Sequence, residues 1–114
     1  MSTAIVKSFA SAPIRFTGST AISESITETR RWKIRDVKIH LSDLGLHEAL
    51  DLSINSPIGP QYNTLLFHQD MTTVQDLVWI PLENVILEAL DTLVITWLNP
   101  NGRTYGLEIR YDFI

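Results

Sequence analysis

The sequence predicts an all-β fold: an antiparallel β-sandwich, jelly-roll-like, with an extended N-terminal arm. Three observations lead there. Short runs of alternating apolar and polar residues recur along the chain, the mark of half-buried strands. Clusters of Gly, Pro, Asn and Asp punctuate them as turns. Helical patterns are confined to two short stretches, too short to pack as helices on their own. The chain has 114 residues and 45% hydrophobic content, which fits one domain of about 100–150 residues.

Taken in order, residues 1–22 form a lead rich in Ser, Thr and Ala, with apolar pairs at Ile5/Val6 and Ile14/Phe16. This lead reads as an arm, or as an edge segment broken by Pro13 and Gly18, with one short strand expected over 12–17. The sandwich itself is expected over 23–114. Trp32 and Ile34 alternate with Arg31, Lys33 and Arg35, after which Val37, Ile39 and Leu41 continue one residue out of phase. A phase slip inside one extended run predicts a β-bulge near Arg35–Asp36.

Leu50, Leu52 and Ile54 mark the next strand, and Ser56 to Pro60 a loop that no ladder can traverse. Tyr62 to His68, Leu77 to Ile80 and Val85 to Leu87 follow as strands. Leu93, Ile95 and Trp97 share one phase; the turn Asn99-Pro100-Asn101-Gly102 then leads into a clean alternation from Tyr105 to Phe113. Leu50, Leu52, Ile54, Leu93, Ile95, Trp97, Leu107 and Ile109 are therefore expected between the sheets. Ser42 to Leu50 and Leu82 to Leu90 admit one helical turn each.

The chain lacks cysteine, which excludes disulfides and thiolate metal sites. Its three histidines, His40, His47 and His68, show none of the spacings that zinc sites use. His68 and Asp70 share one side of a strand, but two groups do not make a metal site. No nucleophile elbow, phosphate-binding glycine loop or EF-hand spacing is present. A small hydrolase would need His47 or His68 in a cleft beside a nucleophile. No catalytic residue, metal ligand or cofactor is assigned, and a non-enzymatic protein is expected. Met1 to Ala10 lacks the pattern of a signal peptide, and no run reaches the ~18 apolar residues of a membrane helix.

The net charge is −4, yet five of nine basic residues fall between Arg30 and Lys38. Trp32 is the one aromatic interleaved among them, so neither a nucleic-acid partner nor a membrane partner is expected. Arg31, Lys33 and Arg35 line one side of a strand as three like charges at alternate positions. They are candidates to meet an acidic surface on another subunit, unless water or Glu24 and Glu28 compensate them. Trp79 and Trp97 are either core or a sugar-stacking platform.

Residues 77–112 carry a resemblance. Val85-Ile86-Leu87 leads through Asp91-Thr92-Leu93 to Ile95-Thr96-Trp97, an Asn/Gly turn, and Tyr105-Gly106-Leu107-Glu108-Ile109. This strand-turn-strand series resembles small structural proteins of tailed bacteriophages, particularly capsid decoration (cement) proteins. The small size, absent cysteine and Ser/Thr/Ala-rich lead are similar too. The resemblance implies a homo-oligomeric virion protein, made in the host cytoplasm, that binds the outside of an assembled shell. Its partner would be the major capsid protein or another virion protein. Ile5 and Val6 of the arm, with Arg31, Lys33 and Arg35, would then form the partner-binding set. The same grammar serves a carbohydrate- or receptor-binding sandwich of a phage tail or fibre, the alternative reading.

Overall fold

A computed structural model describes residues 12–114 of the chain. Nine strands follow one another: β1 (Ile14–Gly18), β2 (Ile22–Thr27), β3 (Trp32–Leu41), β4 (Ala49–Asn55), β5 (Thr64–Asp70), β6 (Asp76–Trp79), β7 (Val85–Leu87), β8 (Thr92–Trp97) and β9 (Tyr105–Phe113). A 3-10 turn, Pro60–Tyr62, precedes β5.

The antiparallel pairs are nested. The β4–β5 hairpin lies at the centre of the sequence, β3 pairs with β6 and β7, β2 with β8, and β1 with β9. Rolling this long double ribbon brings β9 beside β3 and β8 beside β4. Two sheets result, in the orders β1-β9-β3-β6 and β2-β8-β4-β5, with β7 also pairing β3. β6 and β7 share one edge of β3: β6 takes Val37 to His40, and β7 takes Trp32 to Ile34. This is the winding of a jelly roll, as expected.

The expected core is largely the observed one. Leu50, Leu52, Leu93, Ile95, Trp97, Leu107 and Ile109 are buried, and Ile54 packs against them half-buried. Each fully buried aliphatic side chain contributes roughly 1.5–3 kcal/mol. Trp32 is also buried, edge-on to Tyr111 with ring centroids 5.2 Å apart. The expected phase slip is present: the β3–β9 register shifts between Ile34 and Asp36. Two successive residues, Asp36 and Val37, are buried there. Val37 takes up the inward row, while Asp36 points outward onto Arg110.

Neither helical alternative forms: strand β7 and the turn after it occupy one stretch, and a loop running into β4 occupies the other. At Glu88 to Asp91, the Asp91 carboxylate accepts from the Glu88 N–H at 3.0 Å and the Asp91 N–H donates to the Glu88 carbonyl at 3.1 Å. Leu90 there takes φ 72°. Between β3 and β4, Gly45 donates to the Val74 carbonyl and accepts from the Thr73 N–H. A Cβ at Gly45 would lie 2.5 Å from the Met71 carbonyl oxygen, so this close approach requires glycine.

Residues 14–18 form an edge strand against β9. Ile22, placed by the sequence at the end of the leading segment, opens β2 and is buried. Residues 1–11, with Ile5 and Val6, lie outside the described part of the chain.

Candidate interaction surfaces

The outer face of the β1-β9-β3-β6 sheet is built from the strand positions that alternate with the core. Register sets it in rows. Thr17, Gly106, His40 and Asp76 form one row, and Arg15, Glu108, Lys38 and Val78 the next. Beyond them Arg110 faces Asp36, and Asp112 and Ile86 flank Lys33.

Opposite charges meet along these rows. Arg15 donates to Glu108 at 2.7 Å, and Lys38 lies 3.5 Å from the same carboxylate. Glu108 is held below the ordinary carboxylate range chiefly by the hydrogen bond from Arg15. Arg110 grips the Asp36 carboxylate with two nitrogens; Nε lies 3.0 Å from each oxygen and one terminal nitrogen bonds Oδ2. This pair lowers the Asp36 pKa, mainly through the hydrogen bond from Arg110, and raises that of Arg110.

The basic segment sits on this face and at its end. Arg31 pairs with Glu88 at 2.9 Å, and Arg35 with Asp112 at 3.6 Å. Lys33 stands opposite Asp112 in register. The carboxylates beside the basic strand thus come from β9 and the turn after β7. Glu24 and Glu28 instead receive hydrogen bonds from the hydroxyls of Tyr105 and Tyr111. Burial, ahead of the Glu24 charge, pushes the Tyr105 pKa up. Arg31 and Arg35 remain about half exposed, so they can still reach a partner.

His40 and His68 sit on opposite faces, and His47 lies in the loop before β4, 3.3 Å from the Glu48 carboxylate. His40 contacts Asp76 and His68 contacts Asp51, each at 2.5 Å across neighbouring strands. Asp70, two residues beyond His68 in the same strand, is engaged by the Thr72 N–H and hydroxyl, which lower its pKa. Among the described residues no three His, Cys, Asp or Glu gather where a metal ion would sit. Nor is any helix there long and apolar enough to cross a membrane.

Trp97 is only 2% exposed, whereas Trp79 is half-buried and tilted against Phe67, with ring centroids 5.8 Å apart. Trp79 belongs to a surface that the periodicity argument missed. Where β5 and β6 edge their sheets, Leu65 is 61% exposed, Val78 55%, Ile80 65% and Leu82 fully. Leu66, Trp79, Pro81, Leu82 and Val85, with the polar Glu83 and Asn84, border a hollow of about 510 Å³ on this side. A signal for it lay in the sequence: residues 52–67 and 77–82 contain no charged side chain.

No known family model matches the chain, and no curated protein is significantly similar to it. Among solved structures, the chain is similar to the Drosophila NLP core, whose structure was described for pentamer formation and histone binding. The two share 6% identity over 87% of this chain and 96% of that one, with a TM-score of 0.47. The jelly-roll arrangement of the present chain stands on its own strand order.

Proposed function

We propose that the chain is a non-enzymatic structural subunit, a decoration protein that binds the outside of an assembled phage shell and stabilises it. The observation that carries this reading is the division of its surface. One sheet face is laced by cross-strand ion pairs, while a lateral side of the same sandwich exposes the apolar side chains of Leu65, Ile80 and Leu82. A rigid body with one adhesive side suits repeated attachment, where many modest contacts add up to firm retention. The major capsid protein or another virion protein is the partner of this reading, and Arg31, Lys33 and Arg35 are its polar contacts. The planar guanidinium suits bidentate capture of a carboxylate.

The sugar-binding alternative depends on exposed tryptophans. Trp32 and Trp97 are buried and Trp79 is packed on Phe67, so no observation favours that alternative.

The test is a double substitution, Arg31→Gln with Arg35→Gln. Their ion pairs are exposed and each is worth at most about 1 kcal/mol, so the fold is retained. Co-sedimentation with tailed-phage shells lacking decoration protein should fall, and fall most at low salt, where charge contacts are least screened. Unchanged retention from low to high salt would remove these residues from the contact. Glycan binding by the wild-type chain without shell binding would replace the proposal with the alternative.

A further inference from the structure

We infer that Asn101 is a modification site: the Gly102 backbone nitrogen attacks its side-chain amide and converts it to a carboxylate, with the Arg103 guanidinium polarising the carbonyl that is attacked. The inference is independent of the shell-binding reading, because this turn lies at the Leu41 end of β3, away from the basic segment at its start.

The turn Asn99-Pro100-Asn101-Gly102 joins β8 to β9 and is closed by the Gly102 N–H, which donates to the Asn99 carbonyl at 3.0 Å. Gly102 takes φ 62°, a conformation that a side chain would resist. The residue type without a Cβ thus follows directly on an asparagine, and its nitrogen is open to approach. Gly102 and Pro100 are exposed, and Asn101 is half-buried. None of the other four asparagines precedes a glycine. Ser56, Thr64 and Val85 follow Asn55, Asn63 and Asn84, and each carries a Cβ that shields its nitrogen. Pro100, after Asn99, has no N–H to give up.

Arg103 supplies the second element. Its backbone is fixed by Asn99, whose side chain donates to the Arg103 carbonyl and accepts from the Arg103 N–H, both at 2.8 Å. Its Nε donates to the Leu44 carbonyl at 2.7 Å, so the guanidinium is held in place. In the orientation that the hydrogen-bond network selects, the Asn101 amide oxygen lies 3.0 Å from Arg103 Nε and 3.2 Å from a terminal nitrogen. These donors draw electron density from the carbonyl and stabilise the oxyanion that forms on attack.

Hydroxide removes the Gly102 amide proton, and the nitrogen bonds to the side-chain carbonyl carbon of Asn101. The carbon–nitrogen bond of the side-chain amide breaks, and its nitrogen takes a proton from water and departs as ammonia. Water then opens the cyclic imide at either carbonyl, giving aspartate or its β-linked isomer. The bond from Gly102 to Asn99 must open before attack, so the turn restrains the nucleophile while Arg103 activates the electrophile. The product adds one negative charge to a chain of net charge −4, and its carboxylate suits the Arg103 fork. Asp43, 4.0 Å from the same guanidinium, is the competing acceptor.

The experiment is incubation of the folded full chain in warm, mildly alkaline heavy-oxygen water, followed by peptide mapping in a mass spectrometer. Arg103→Gln and Arg103→Lys are treated alongside, and all three chains are repeated in urea. Circular dichroism verifies the fold of each variant. In the folded wild type Asn101 should convert ahead of Asn55, Asn63 and Asn84, and the product should retain heavy oxygen at residue 101. Arg103→Gln should slow conversion about tenfold, less than the loss of a donor from an enclosed oxyanion hole. Arg103→Lys, which keeps the charge but not the fork, should slow it less. In urea the three chains should convert at one rate, because the guanidinium is no longer held against the amide. Should Arg103→Gln fail to fold, Arg103→Lys decides alone: slower than wild type when folded, and equal in urea. A folded wild type whose Asn101 stays intact, or converts after another asparagine, would overturn the inference. So would folded variants that convert as fast as wild type, or a difference that persists in urea.

Discussion

Arg110 and Asp36 face each other across β9 and β3 at the point where the β3 register slips, and the bulge presents the aspartate to the guanidinium. Asp36 is 4% exposed, so its charge depends on Arg110 for compensation. Asp36→Asn should cost about 2–3 kcal/mol at neutral pH, the scale of a hydrogen bond to a charged group. Replacing both residues, Asp36→Leu with Arg110→Met, should recover most of that loss, because an apolar pair leaves no charge unpaired. Urea unfolding of the two variants and of wild type measures the difference.

The same pair sets a pH dependence. The folded-state pKa of Asp36 lies below its unfolded value, which is about 3.9. Its contribution is therefore complete above the unfolded value and is lost as pH falls through the lowered folded one. Glu108 and Asp70 are shifted the same way and titrate in the same acid window. Asp36→Asn should flatten the acid limb of the stability curve relative to wild type. Parallel acid limbs would show that Asp36 contributes nothing there.

Trp97 lies at the heart of the sandwich, and its indole N–H is buried without a partner among the described residues. Trp97→Ala should destabilise by about 3–5 kcal/mol, the usual cost of truncating a large buried aromatic. A change within ~0.5 kcal/mol in chemical denaturation, the range of surface sites, would contradict its place in the core.

Two glycines should respond in opposite directions. A Cβ at Gly45 would strike backbone, with the Met71 oxygen at 2.5 Å and the Val74 oxygen at 3.1 Å. Gly45→Ala should cost about 1–3 kcal/mol as the loops are forced apart. At Gly106 a Cβ would meet nothing within 4 Å. Gly106→Ala should stabilise by about 0.4–1 kcal/mol by restricting the unfolded chain. Thermal midpoints moving the same way in both variants would refute this account.

Asn99 turns the chain between β8 and β9 at φ 50°, a conformation that asparagine tolerates. Its side-chain amide donates to the carbonyls of Thr20 and Arg103, and its oxygen accepts from the Arg103 N–H, all at 2.8 Å. Asn99→Ala should lose about 2–3 kcal/mol from the part-buried hydrogen bonds it removes and from backbone strain. Asn99→Gly should lose less, since it keeps the backbone conformation. Equal losses in denaturant melts would show that φ contributes nothing.

The features legible in the sequence are those written in local phase. The slip between Ile34 and Val37 gave away the bulge, and the shared phase of Leu93, Ile95 and Trp97 gave away the core. β2 was harder to see. Its inward positions are Ile22, Glu24 and Ile26, and the glutamate in the middle breaks the apolar alternation. It is tolerated because the Tyr105 hydroxyl reaches its carboxylate at 3.2 Å. The partners of the basic strand were not legible either. Arg31 meets Glu88 and Arg35 meets Asp112, pairings set by strand register rather than by nearness in sequence. The lateral apolar side depends on which strands end up at sheet edges, and alternation does not encode that order.

The central claim, that the chain is a structural subunit bound to the outside of a shell, is tested most directly by titrating it onto purified tailed-phage shells lacking decoration protein and counting bound copies after sedimentation. The account predicts saturation at a fixed number of copies per shell, with a rise in the temperature at which loaded shells rupture. Binding that never saturates, or loaded and bare shells that rupture at the same temperature, would contradict it.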